Sequence, residues 1–431
     1  LLRPYQNELT KFSSFFAERI VLTEKKTVVI VGGGAAGFFC AVNVARMNPL
    51  LKVIILEKSS KLLSKVKVSG GGRCNVTNAC FDIPTLARQY PRGGNFVKKS
   101  FHHFYTKDTI HWFEERGVLL KAEADGRIFP TTNSSQTIIN CLLNEANKYG
   151  VEILMNTEVK GIQHCNNQFE IICDTSRKLF ADYLCIASGG YAKSTMFDWI
   201  KSTGHCIETP LPSLFTFNLP GHRICSMMGL SVANVSIKIA GTKLEQKGPV
   251  LITHWGISGP AVLKLSAWGA RELAAKQYEF TAIINWVPDY NETTMIEKLQ
   301  QFRIIQPAQK IFIKNTWGLP TRLWEFFCNA SKITHEMRWA DLPSSAQNKL
   351  VKCLCAYEVA IKGKTTFKEE FVTAGGVCLS EVDASTMHSK LIPNLYFAGE
   401  VLDVDGITGG FNFQHAWTSG YIAALHIAKE K

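Results

Sequence analysis

The sequence predicts an α/β fold in which one domain is assembled from both ends of the chain and interrupted by an insertion, first β-rich and then helical. Three observations predict it. A β-branched run, TVVIV (27–31), leads straight into Gly32-Gly33-Gly34-Ala35-Ala36-Gly37 and then into a segment with helical apolar spacing. A second apolar run, KVIILE, ends in Glu57, twenty residues past Gly37. Far downstream, LIPNLYFAGEVLDVDGITGGFNFQHAWTSGYIAALHIAK reads as strand, Gly-acid pair, glycine-rich loop and helix, which returns the chain to the first domain.

Residues 1–24 carry bases at Arg3, Lys11 and Arg19 but lack the apolar core and small-residue cleavage site of a secretory signal, and a poorly ordered extension is expected there. Residues 25–205 are expected to be the first part of a Rossmann-like domain. Gly32 permits the tight turn, Gly34 lets a pyrophosphate approach the backbone, and Gly37 lets the helix pack on the strand. The helix start at Ala35 and Ala36 then offers unpaired N–H groups and a positive dipole end to phosphate. A carboxylate at Glu57 accepts bonds from ribose hydroxyls and repels a 2′-phosphate, which favours FAD or NAD over NADP. YLCIASGGYA supplies another strand, closing in a small-residue turn at Ser188, Gly189 and Gly190.

After about residue 205 the pattern changes. Segments such as LFTFNLP, SVANVSIKIAG and YEFTAIINWV alternate like strands, giving a β-rich insert over 206–290. TTMIEKLQQF and SAQNKLVKCLCAYEVAIKG give a helical insert over 291–362, and 363–431 completes the first domain. There is no repeat and no second GxGxxG, so a reduced nicotinamide, NAD(P)H, is expected only as a transient co-substrate, or the donor is something else.

With 46% apolar and 19% charged residues the chain has the composition of a folded protein, and no apolar run reaches the length of a membrane span. Thirteen cysteines without CxxC pairing argue for a reducing cytoplasm and against zinc or disulfides. The net charge of +12 is concentrated: between Lys58 and Lys107 ten Lys or Arg face one acid, Asp82, a local +9. That clustering suits a polyanion, or is a solvated Lys-rich face. Within it, Phe101, His102, His103, Phe104 and Tyr105 could catch an unstacked base, or be ordinary helix residues.

The motifs SGGGRCNVTN (69–78), GRIFP (126–130), THWGISGPAVLKLS (253–266), FVTAGGVCLSEVD (371–383) and AGEVLDVDGITGGFNFQHAWTSG (398–420) together resemble the BaiN/YhiN-type family of FAD-dependent oxidoreductases, of glutathione-reductase-like fold. The resemblance spans about residues 25–431. It implies FAD as cofactor, with Gly399 and Glu400 at the ribityl chain and Gly409, Gly410, Phe411 and Asn412 opening a helix aimed at the flavin. It also implies that Gly70, Gly71, Gly72, Arg73, Cys74 and Asn75 fold back along the cofactor, Arg73 supplying charge, with Lys58 beside the ribose acid. Family members are associated with reducing uridine in large-subunit ribosomal RNA to dihydrouridine and the enone of steroid-like bile-acid intermediates. The +9 window favours ribosomal RNA or its precursor as partner. A small-molecule enone reductase and a non-enzymatic flavin-bearing RNA-binding protein are the alternatives.

Hydride chemistry at a flavin needs a proton donor opposite, and Cys74, His254 and His415 are the candidates. Each has an ordinary alternative. Cys74 could simply pack, His254 could be a structural histidine, and His415 could belong to a helix core.

Overall fold

The computed structural model describes residues 25–174, 178–366 and 372–429; the expected N-terminal extension lies outside these residues. The first strand, β1 (Thr27–Val31), sits in the middle of a parallel sheet because Val28, Val29 and Ile30 are wholly buried. Burial of such side chains contributes about 1.5–3 kcal/mol each. The sheet order is Leu395–Phe397, Tyr183–Ile186, β1, β2 (Lys52–Leu56) and Glu152–Leu154, so strands from both ends of the chain lie side by side.

Helix α1 (Ala35–Met47) follows β1 and is buried from Ala36 to Ala45, because the C-terminal helix Phe411–Lys429 covers its outer side. The two helices approach closely at Gly420, where an added methyl group would stand 2.6 Å from the Ala36 carbonyl oxygen. Around them Phe39 meets Phe104, Trp112 and Trp417 at ring separations of 4.5–5.6 Å. Phe101 and Phe104 are 1% and 4% exposed members of this core, which removes them as base-stacking residues. His102 and His103 are exposed, and Tyr105 is half-buried ahead of the helix Thr106–Glu114.

A second hydrophobic core lies in the insertion. Its seven-stranded antiparallel sheet runs in the order Tyr357–Lys362, Glu279–Asn285, Ser231–Ile239, Glu245–Ile252, Gly256–Ser258, Thr216–Asn218 and Lys364–Thr365. The helices Glu292–Ile305, Thr321–Ala330 and Ser344–Cys355 bury Leu299, Trp324, Phe327 and Leu350 against it. Two expectations are corrected here. Tyr357–Lys362 does not continue the preceding helix. Val359 and Ile361 point into the core while Glu358, Ala360 and Lys362 point out, a period of two that fits a strand. Lys364–Thr365 also pairs within this sheet, so residue 363 is not where the chain returns to the first domain.

Two antiparallel strands, Ile207–Pro212 and Thr373–Val377, carry the chain into and out of the insertion. Beside them the Arg92 guanidinium makes a two-pronged pair with the buried Asp405 carboxylate and also donates to the Ala267 carbonyl at 2.8 Å and to Ser213. Burial pushes the Asp405 carboxyl up, while Arg92 and Ser213 pull it back down.

Candidate functional site

The glycine turn after β1 is held by its own strand neighbours. Gly32 N–H donates to the Leu56 carbonyl at 2.8 Å and Gly33 N–H to Glu57 Oε2 at 2.8 Å. Gly32 adopts φ +115°, and a methyl group on Gly37 would stand 1.9 Å from the Gly32 carbonyl oxygen, so the turn and the helix behind it need glycine at both places. Gly34 differs: nothing lies within 4 Å of where its side chain would be. It begins α1 without any side-chain cap, so the first-turn N–H groups have no side-chain acceptor at the N-cap.

Glu57 also accepts from Ser59 N and Oγ through its second oxygen (2.9 and 2.8 Å), which fixes the carboxylate while leaving lone pairs for further donors. A cavity of about 270 Å³ opens beside it, lined by Gly32, Glu57, Lys58, Ser188, Tyr191 and Trp199 among others. Ser188 belongs to the ASGG turn, and that turn continues over the other end of the cleft. There a methyl group on Gly190 would meet Thr373 Oγ1 at 2.3 Å and Glu400 Oε1 at 2.9 Å. Glu400 accepts from Thr373 N at 2.9 Å and pairs with Lys65 Nζ at 2.5 Å, and Thr373 Oγ1 is a buried hydroxyl without a protein partner.

The segment Ser69–Asn78, expected as a loop folding back along the cofactor, begins inside a helix. Its first residues end α2 (Ser64–Gly72), which kinks where Ser69 is extended and Gly70, Gly71 and Gly72 run at φ +58°, +69° and +84°. The left-handed run turns the chain so that the two asparagines reach the far end of the sequence. Asn78 Nδ2 donates to the Gly409 carbonyl at 3.0 Å. The Asn75 amide, oriented to suit its neighbours, accepts from Gly410 N–H at 2.9 Å and donates to the Thr77 carbonyl at 3.0 Å. Trp417 Nε1 donates to the Val76 carbonyl at 2.9 Å, and Gln414 accepts from the Thr77 hydroxyl at 2.5 Å. The same segment pairs with Arg127–Pro130 in a small sheet, which joins two of the sequence motifs.

Several expected roles change. Arg73 stacks at 3.9 Å on the Phe129 ring and pairs with Glu123 at 2.6 Å, so its charge is already neutralised by the protein. Cys74 is wholly buried and burial pushes its thiol up to about 12, leaving it no path to exchange a proton with solvent. His415 is 2% exposed, faces the Gly399 carbonyl at 3.3 Å, and burial lowers its pKa to about 4, so it is neutral near pH 7. His254 sits in an exposed turn against Trp255, whose indole donates to Thr216 at 3.1 Å. Phe411 is buried and its carbonyl accepts from Tyr90 at 2.6 Å, while Asn412 closes the preceding loop on Gly406 with two 2.8 Å bonds.

Of the ten cations in the basic window, Lys65, Arg73 and Arg92 are bound to internal acids, whereas Lys58, Lys61, Lys67, Arg88, Lys98, Lys99 and Lys107 are exposed. Sequence reasoning does not single out Lys65, Thr373 and Asn78 for the cofactor cleft. In sequence Lys65 is one more solvated charge, and the partners of Lys65 and Asn78 lie more than three hundred residues away.

Observations of the cleft itself fit FAD. The helix start is uncapped and open around Gly34, a fixed acid borders a cavity, and a buried hydroxyl without a protein partner adjoins a second acid next to Gly190.

The family model described as "HI0933-like protein Rossmann domain" matches residues 26–426. A ribosomal RNA dihydrouridine synthase of Haemophilus influenzae is 29% identical over 407 residues, covering 92% of this chain and 96% of that protein. A 3-dehydro-bile acid delta(4,6)-reductase of Clostridium scindens is 27% identical over 403 residues, covering 91% and 97%. Among solved structures, a 3-ketosteroid-delta4-(5alpha)-dehydrogenase from Rhodococcus jostii superposes with a TM-score of 0.51 at 13% identity over 95% of this chain and 99% of that one, a likeness of fold. Among the described residues no helix is long and apolar enough to cross a membrane.

Proposed function

We propose, from the premise that the chain belongs to the HI0933-like family of Rossmann-fold, FAD-binding oxidoreductases, that it reduces a carbon–carbon double bond conjugated to a carbonyl, with uridine in large-subunit ribosomal RNA as the substrate. Membership in an oxidoreductase family removes the non-enzymatic reading. The observation that carries the RNA reading is the set of seven exposed cations between Lys58 and Lys107, with Lys58 lining the cleft and Lys67 on the helix that bears Lys65. A polyanion is rewarded for each phosphate it pairs there through counterion release. A relative that covers nearly the whole chain is a ribosomal RNA dihydrouridine synthase.

In this reading the N–H groups at Ala35 and Ala36 and the dipole of α1 hold the pyrophosphate. Glu57, already oriented by Gly33 and Ser59, accepts the adenosine ribose hydroxyls. Glu400 and the Thr373 hydroxyl hold the ribityl chain, and Asn75 and Asn78 fix Gly409 and Gly410 so that the helix N-terminus behind them presents a positive end to the ring. Bound FAD supplies hydride transfer to the electron-poor carbon. His254 is the side chain we assign as proton source, because it is exposed and its neighbour Trp255 is anchored on Thr216. NAD(P)H is the donor that refills the cofactor.

The second reading, a small-molecule enone reductase, is favoured by the neutralisation of Arg73, Lys65 and Arg92, which leaves fewer cations near the cleft than the composition of the basic window suggests. It is also favoured by the similarity to a bile acid reductase. Mass analysis of dihydrouridine in ribosomal RNA from cells with and without this gene separates the two. Loss of the modified nucleoside on deletion supports the first reading, and an unchanged level overturns it.

A further inference from the structure

The strands that lead into and out of the insertion bring together two cysteines that play no part in the cleft. Ile207 pairs with Val377, so Cys206 and Cys378 face each other one step further on, and Cys378 N–H donates to the Cys206 carbonyl at 3.0 Å. Facing residues in antiparallel strands have Cα atoms about 4.5–5.5 Å apart, within the range a disulfide spans. The Cys206 side chain acts directly on the Cys378 thiol and raises it. Cys206 is exposed and Cys378 only 8% so, which gives one sulfur to solvent and holds the other behind it. The Cys206 N–H is fixed on Glu381 Oε2 at 2.8 Å, so the pair is anchored on both strands.

We propose that Cys206 and Cys378 form an intrachain dithiol that a hydroperoxide oxidises to a disulfide, closing the root of the insertion. The Cys206 thiolate attacks one peroxide oxygen and the other leaves as water, giving a sulfenic acid. The Cys378 sulfur then displaces a second water from it. The two thiols together lose two protons and two electrons, and hydrogen peroxide as the oxidant is reduced to two waters. Burial, then Cys206 and the carboxylates of Glu208 and Glu381, raise the Cys378 thiol to about 12, and Cys206 is the exposed sulfur, so Cys206 is the attacking group. Those acids also repel anionic reagents, which makes a neutral peroxide the suitable probe.

Another touching pair serves as an internal comparison. Cys185 acts on the Cys40 thiol and raises it, but both are wholly buried in the core between α1 and the parallel sheet, and they are expected to stay reduced under the same treatment. The bond between 206 and 378 would enclose the whole insertion in one covalent loop, and a loop of that length restricts the unfolded chain strongly.

The test uses the full-length, FAD-loaded protein and hydrogen peroxide. The intact mass is expected to fall by two hydrogens, a non-reducing digest to yield one linked peptide containing positions 206 and 378, and the thermal midpoint to rise until dithiothreitol restores it. Cys206→Ser and Cys378→Ser each abolish the linked peptide. Oxidised protein in which 206 and 378 appear in separate peptides, a link that survives Cys206→Ser, or a midpoint that does not rise with the link, overturns the proposal.

Discussion

The two glycine clusters near the N-terminus look alike in sequence and do opposite things. At Gly32–Gly37 the chain folds tightly on itself at Gly32 and Gly37 and leaves open space at Gly34, so the cluster builds a wall with an opening. At Gly70–Gly72 open space also surrounds Gly71 and Gly72, and Gly70 is backed by the Phe129 ring, but all three residues are left-handed. They redirect the chain so that Asn75 and Asn78 seize a loop from the other end of the protein. The first cluster is built on close backbone contacts and a helix start, the second on a left-handed turn. What separates two glycine-rich motifs is therefore the backbone conformation each needs, and not open space alone.

The largest effect that tests this contrast is expected at Gly37. Gly37→Ala puts a methyl group into backbone, and a loss of roughly 3–5 kcal/mol in unfolding free energy, measured in urea, is the expected outcome. A stable Gly37→Ala protein would dissolve the distinction.

His415, on the helix both clusters meet, comes next. Its folded pKa of about 4 lies below the unfolded value of about 6.5, so as pH falls the unfolded chain takes the proton first. Stability from this group is complete above about pH 6.5 and fades between 6.5 and 4, by about 3 kcal/mol. The dependence of unfolding free energy on pH across that range should flatten by this amount in His415→Gln.

In the second cluster, Asn75→Ala leaves buried groups of Thr77 and Gly410 unpaired, and a cost of about 1–3 kcal/mol is expected with FAD retained after stabilisation by glycerol. At Gly34 the contrast reverses. Gly34→Ala should unfold at the wild-type urea concentration, because nothing lies where its methyl group would be, yet bind FAD at least tenfold more weakly by fluorescence titration, about 1.4 kcal/mol. The smallest expected change concerns the surface. Reversing Lys61 and Lys67 to Glu should leave flavin reduction intact and flatten the salt dependence of RNA affinity by about one unit of slope for each phosphate no longer neutralised. Lys65 is excluded from that pair because it is bound to Glu400.

The parallel sheet is legible in the sequence because its signals are local: TVVIV buries on both faces and is followed at once by its turn and helix. Glu57 is legible by its spacing, and the structure sets it beside the turn. Tyr357–Lys362 reads wrongly as helix because no glycine or proline separates it from the helix Ser344–Cys355, and only pairing with Glu279–Asn285 makes it a strand. The basic window is legible as composition, but which lysines and arginines are neutralised depends on acids such as Glu400 and Asp405 hundreds of residues away. Phe101 and Phe104 are ambiguous for the same reason, since their burial is decided by the C-terminal helix.

That helix, and the edge strand Leu395–Phe397 before it, leave the ribosome only after the whole insertion has done so. The seven-stranded sheet, contiguous from Thr216 to Lys364–Thr365, can be complete while the parallel sheet still shows the open side of Tyr183–Ile186. A nascent chain therefore passes through a stage with one finished body and one exposed strand. A premature stop before Leu395 would make that stage permanent, handing the chaperones a polypeptide whose edge invites aggregation.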